Sequence, residues 1–212
     1  MAEKVSQSIA IVVCSTRKPR ACPQIAEFVL TTLKSSSLFS PSSHTFEIID
    51  LATWNLPLFD GPEVPSQVKS AAGYSQPHAQ RWSAEVSRHA AFIFVTPQYN
   101  WGYPAAAKNA IDYLFHEWSG KPAMIVSYGG HGGGKAARQL REVLQGVRMN
   151  PVETIPQLQF SGREMLGVAA TGGDLKLTQA QEAGGKAVWD DYRGTVETAF
   201  KELVSSLSAS AP

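Results

Sequence analysis

Three short, unbroken apolar runs constrain this chain most, because each leads through a loop into a segment of helical periodicity. Residues 8–14 read SIAIVVC, residues 91–96 AFIFVT and residues 123–127 AMIVS. A strand with one wet face alternates apolar and polar side chains. A run that is apolar throughout belongs to a strand covered on both faces, as in a parallel sheet between two helical layers. Ile25, Phe28, Val29 and Leu33 recur at helical spacing after the first run, behind a Pro23 suited to a first helical turn. Trp82, Val86 and Ala90 precede the second run. Ala107, Ala110, Ile111 and Leu114 follow it, behind Pro104. Ala136, Leu140, Val143, Leu144 and Val147 follow the third, and Trp189, Tyr192, Val196, Ala199 and Leu203 mark a last helix. Weaker strands are expected at residues 46–51 and 152–155. Strand, loop and helix repeated about five times predict an α/β fold: a five-stranded parallel sheet, doubly wound, with helices on both faces.

At 212 residues the chain suits one domain spanning 1–212. The loop-rich stretch at residues 56–74 carries apolar and aromatic side chains unlike a linker, whereas the Ser/Ala-rich residues 205–212 are expected to fray. The formal charge is +1, from 19 basic and 18 acidic residues, which excludes an overall electrostatic grip on nucleic acid. Five scattered histidines suggest no metal cluster. Cys14 and Cys22 form no disulfide framework. The apolar run at residues 9–14 is too short for a signal segment or a membrane span. A cytoplasmic protein with no membrane insertion is the expectation.

Ligands of such sheets sit beyond the carboxyl ends of the strands, and three loops there look specialised. The first, Ser15-Thr16-Arg17-Lys18-Pro19-Arg20, offers two hydroxyls, three cations and the amides of a helix start. That combination suits a phosphate; a solvated basic turn is the alternative. The third holds Gly129, Gly130, Gly132, Gly133 and Gly134 around His131. Glycine here lets the backbone approach a flat or anionic ligand. It nearly matches a nucleoside triphosphate loop, but Ala136 stands where the metal-binding hydroxyl belongs, which argues against an ATPase. The second, Pro97-Gln98-Tyr99-Asn100-Trp101-Gly102-Tyr103-Pro104, packs three aromatics into five residues. Aromatic faces stack on planar rings, and the amides of Gln98 and Asn100 can meet ring heteroatoms; a lid over the protein's own core or a subunit contact is the alternative. A phosphate at one end and a planar heterocycle at the other fit adenine and flavin nucleotides alike. A dinucleotide-binding first loop would carry a glycine fingerprint, which is absent. This favours flavin mononucleotide (FMN) in the sheet order 2-1-3-4-5.

The segments at residues 14–17, 97–114 and 127–133 resemble the NADPH-dependent FMN reductase family, most closely its quinone reductase members. The middle one, PQYNWGYPAAAKNAIDYL, is the most specific. The resemblance covers residues 9–156 and implies a flavodoxin-like three-layer sandwich, bound FMN, NADPH or NADH as donor, a quinone or free flavin as acceptor, and a homodimer or tetramer. It implies that Ser15, Arg17 and Arg20, with Thr16 beside them, hold the FMN phosphate. Pro97, Gln98, Tyr99, Asn100 and Trp101 would line the isoalloxazine, and Tyr128, Gly129, Gly130, His131 and Gly132 would border its other edge. The chain departs from the pattern at Cys14, where relatives commonly carry Gly, and at Ala21-Cys22, where a hydroxyl is often found. The flavin would carry the hydride chemistry, so no protein acid or base is required.

Two other readings compete. An FMN electron carrier would bind the same cofactor without oxidising NAD(P)H, but carriers of that kind tend to be strongly acidic. Cys14 and Arg20 also form the Cys-x5-Arg spacing of a tyrosine phosphatase loop, although that loop lacks a glycine and no Asp-Pro pair is present. Cys22 reads as a buried thiol at a helix start, a position that can lower its pKa.

Overall fold

The computed structural model describes residues 6–178 and 188–209. The elements run β1 (Gln7–Val13), α1 (Cys22–Ser35), β2 (His44–Asp50), α2 (Leu51–Trp54), α3 (Pro77–Ser87), β3 (Ala91–Pro97), α4 (Ala105–Asp112), β4 (Pro122–Gly129), α5 (Gly134–Gly146), β5 (Asn150–Pro151), β6 (Gln157–Gln159), α6 (Gly162–Thr171) and α7 (Asp190–Ala209). The sheet is parallel in the order β2-β1-β3-β4-β5, and β6 also pairs with β4. This is the expected flavodoxin-like order with one strand more.

The period of two along each strand divides the interior in two. Ile9, Ile11, Val13, Ile93, Val95, Met124 and Val126 face one side, under α1 and α7. Ala10, Val12, Cys14, Phe92, Phe94, Ala123 and Ile125 face the other, under α3, α4 and α5. On that second side Trp118 packs edge-on to Phe92 at 4.9 Å and to Trp82 at 6.2 Å. The Trp82 and Trp118 indole N–H groups donate to the carbonyls of Ala110 and Ile111. Buried indoles are thereby satisfied rather than orphaned. The residues of the α1 stripe, Ile25, Phe28, Val29 and Leu33, are all fully buried.

Two expectations need correction. The strand expected at 152–155 is two short strands on either side of an interruption. The Val152 N–H donates to Ala123 O at 2.8 Å and the Ser127 N–H to Pro156 O at 2.9 Å, so the chain does follow the β4 edge. Between these points the Thr154 N–H turns away to Glu202 of α7 at 2.9 Å, and Pro151 and Pro156 have no N–H to give the ladder. The tail expected to fray from Ser205 is instead helical to Ala209, because Leu207 packs into the α1 side of the core; its last residues, 210–212, lie outside the described ones. No helix of the described residues is long and apolar enough to cross a membrane.

Candidate functional site

All three specialised loops leave the carboxyl ends of neighbouring strands β1, β3 and β4, so the sheet order brings them to one rim. The first two are joined directly. Ser15 is fully buried, and its Oγ lies 2.7 Å from the Tyr99 Oη.

Arg20 holds the first loop to the fold. Its guanidinium donates to the Ser15 carbonyl at 2.7 Å and, in a fork, to both oxygens of Asp50 at 2.7 and 2.6 Å. Asp50 ends β2 and also caps α2 by accepting from the Ala52 N–H. Burial works against the Asp50 charge, but the Arg20 hydrogen bonds and the Ala52 amide outweigh it and hold the carboxyl below its ordinary range. Arg20 was expected on a phosphate; the structure commits much of its donor fork to Asp50 and Ser15. Arg17 reaches across to the last turn of α6, donating to Ala170 O at 3.0 Å and Ala169 O at 3.3 Å. Those are carbonyls at the negative end of a helix, where a cation is favoured.

The second loop tightens into a four-residue hairpin. The Tyr99 N–H donates to Gly102 O at 2.8 Å and the Gly102 N–H to Tyr99 O at 3.0 Å. Its two central residues, Asn100 (φ 45°) and Trp101 (φ 72°), both lie in the left-handed region. Such a turn normally uses Asn followed by Gly. Trp at the second position is strained, and the strain leaves an indole that is 62 % exposed.

In the third loop Gly132 (φ 73°) and Gly133 (φ 79°) turn the chain. A Cβ on Gly133 would meet Tyr128 O at 2.8 Å, so this position excludes any side chain. The Ser127 hydroxyl fixes the loop by donating to Gly132 O at 2.7 Å. The Lys135 and Ala136 amides that open α5 both donate to the Gln98 Oε1, at 3.1 and 3.4 Å. Gln98 was expected to meet ring heteroatoms; its carbonyl oxygen serves instead as the cap of α5.

Arg17, Pro97, Gln98, Tyr99, Tyr128, Gly129 and Gly130 line one cleft of about 220 Å³, in three loops of the sequence and one place in the fold. Its other wall is Phe160 and the α6 residues Leu166, Ala169 and Ala170, which sequence reasoning missed. Gln98 also borders a larger open cleft with Asn100, Trp101 and His131. Thr16 faces away from both, into a separate hollow of about 350 Å³ with Lys18 and Asn109. Gly132 is buried under the loop it turns.

Both thiols are buried. Burial pushes Cys22 up to about 11 and Cys14 well above its ordinary value, so the helix start does not lower the Cys22 pKa. With Cys14 buried against Val12 O and the Arg20 fork bound to Asp50, a phosphatase loop is not formed. Tyr128 is likewise held protonated, first by burial and then by the neighbouring Cys22. Glu47, Glu85 and His89 bring potential metal-ligand atoms within 4.8 Å of one another. Arg88 already bonds both carboxylates, however, so that cluster is neutralised by a side chain.

A family model described as NADPH-dependent FMN reductase matches residues 8–180. The NAD(P)H-dependent FMN reductase of Saccharomyces cerevisiae is 41 % identical, over 77 % of this chain and 95 % of its own length. A quinone reductase of Pseudomonas putida is 33 % identical, over 62 % of this chain and 68 % of its own. The solved structure of a Paracoccus denitrificans flavoenzyme, an NAD(P)H:(acceptor) oxidoreductase, superposes with a TM-score of 0.66 at 18 % identity, covering 94 % of this chain and 98 % of that one. That last similarity is one of fold.

Proposed function

The chain belongs to the NADPH-dependent FMN reductase family, and from that premise we propose that the cleft between Arg17, Tyr99 and Gly130 is where its FMN lies. The protein is an FMN-dependent oxidoreductase that takes electrons from NAD(P)H. The observation that carries the assignment is convergence: a cation, an aromatic wall and a glycine floor come from three separate loops to one cleft, with Ser15 bonded to Tyr99 behind it.

The donor set fits the group. α1 opens with no side chain capping its start, and Ala21, just before it, shares the cleft with Arg17, an arrangement that suits an anion at a helix start. Pro97, Tyr99, Tyr128, Gly129 and Gly130 give a narrow, largely apolar slot that suits a planar ring. When bound, FMN supplies the hydride chemistry. The chain's own residues do the rest. Arg17 would hold the phosphate, the Ser15 hydroxyl fixes Tyr99 from behind, and Arg20 keeps the first loop shaped through Ser15 and Asp50. Tyr99 and Tyr128 exclude water from the ring. Tyr128, protonated throughout the working pH range, adds no charge to the slot. Gln98 ties the second loop to the third, so that both walls keep one spacing. Gly129 and Gly130 belong to its floor, and Asn100, Trp101 and His131 to the open cleft next to it, whereas Thr16 lies outside it and Gly132 acts by turning the third loop.

The same reading makes the whole chain one flavodoxin-like domain that acts on a quinone as a homodimer in the cytoplasm. The experiment is an FMN titration of Arg17→Ala beside the parent protein. Retained folding with a loss of FMN affinity of at least about tenfold, roughly 1.4 kcal/mol, supports the phosphate assignment; unchanged affinity removes it.

A further inference from the structure

Resting on the function proposed above, we propose that the open cleft beside the flavin slot takes the 2′-phosphorylated adenosine end of NADPH, with Lys135 and Arg138 on the phosphate and Trp101 on the adenine. The cleft measures about 650 Å³ and meets the flavin slot at Gln98. Its lining includes His131, Lys135 and Arg138 and no carboxylate. The two nicotinamide donors differ by one phosphate, so only a group that recognises an anion separates them.

Lys135 and Arg138 lie three residues apart in the first turns of α5, hence on neighbouring positions of one face. Both are exposed. Among the described residues neither makes an ion pair, whereas Arg141, one turn further on, is held by Glu153 at 2.5 Å. The positive end of α5 adds to their field. Its Lys135 and Ala136 amides are already bonded to Gln98, so recognition here is assigned to the side chains. Lys135 is placed rather than free: its Nζ stands 3.6 Å from the centre of the Trp101 ring. The hairpin spends two left-handed residues to present that ring outward. An exposed indole fixed beside a cation pair is the geometry for a purine carrying a phosphate.

The test is calorimetric titration of the FMN-loaded protein, at low salt, with adenosine 2′,5′-bisphosphate and with adenosine 5′-monophosphate. The bisphosphate should bind at least about tenfold tighter, with a difference that shrinks as salt is added. Arg138→Glu should erase the difference, and Lys135→Ala should reduce it. FMN content and NADH turnover should stay unchanged in both, while the ratio of NADPH to NADH kcat/KM falls in parallel. Equal binding of the two nucleotides, or a preference that survives in a Lys135→Ala/Arg138→Ala double variant, overturns the subsite. Turnover of both donors without discrimination overturns the subsite and leaves the proposed function standing. Discriminating binding without any turnover supports the subsite and removes the function instead.

Discussion

The hydroxyl of Ser15, at the end of β1, and that of Tyr99, at the end of β3, lie 2.7 Å apart, with Tyr99 lining the cleft and Ser15 buried behind it. The two residues are 84 positions apart in the chain, and this bond couples the phosphate-side loop to the aromatic one. Because Ser15 is fully buried, its hydroxyl has few other partners. Tyr99→Phe should therefore cost about 1 kcal/mol of stability and weaken FMN binding without abolishing it. Chemical denaturation and an FMN titration of the same variant check both effects.

Arg20 and Asp50 act as a clamp on the first loop, and the clamp has a pH signature. The folded state holds the Asp50 carboxyl below its ordinary value. Its stabilisation is therefore complete above the unfolded carboxylate pKa of about 3.9 and is lost as pH falls through the lower folded value. Asp50→Asn should be less stable than the parent at neutral pH by about 1–3 kcal/mol. The gap should close under acid conditions. Unfolding curves from neutral pH down to strongly acid pH read this out; a gap independent of pH would contradict it.

Two glycines should respond in opposite directions. Gly133 has φ 79° and no room for a Cβ, so Gly133→Ala should destabilise by at least about 1 kcal/mol and disturb the third loop. Gly194 lies inside α7, exposed, with nothing within 4 Å of the Cβ position. Gly194→Ala should stabilise by about 0.5–1 kcal/mol. Thermal melts of the two variants give the signs directly.

Cys14 and Cys22 should be almost unreactive in the folded protein. With Cys22 at about 11, only about one molecule in a thousand carries its thiolate at pH 8. Labelling with a thiol reagent should be slow until denaturant is added, and Cys14→Ser should keep its oxidoreductase activity. Fast labelling of native protein would refute the burial argument.

How far the sequence discloses the fold depends on which interaction decides each element. β1, β3 and β4 are legible because burial on both faces leaves no polar alternation, and α1 because Ile25, Phe28, Val29 and Leu33 form one stripe. The interruption between β5 and β6 is not legible, since it turns on the Thr154 amide meeting Glu202, 48 residues away. The tail misleads in the same way: its serines suggest fraying, but Leu207 finds a core. At the site, the aromatic loop and the glycine loop announce themselves by composition. The α6 wall does not, because Leu166 and Ala169 are ordinary helical residues until the fold sets them against Gly130 and Arg17. Nor can spacing show that Arg20 has a partner at Asp50. An acidic residue closing the second strand is the one signal that could have suggested it.

The visible absorption spectrum of the purified protein tests the central claim most directly, taken before and after FMN is added, then with NADPH under anaerobic conditions, then with a quinone. The structure predicts flavin bands in equimolar amount with the chain, bleached by NADPH and restored by the quinone. A protein that stays colourless after incubation with FMN, or a bound flavin that NADPH leaves unbleached, would contradict it.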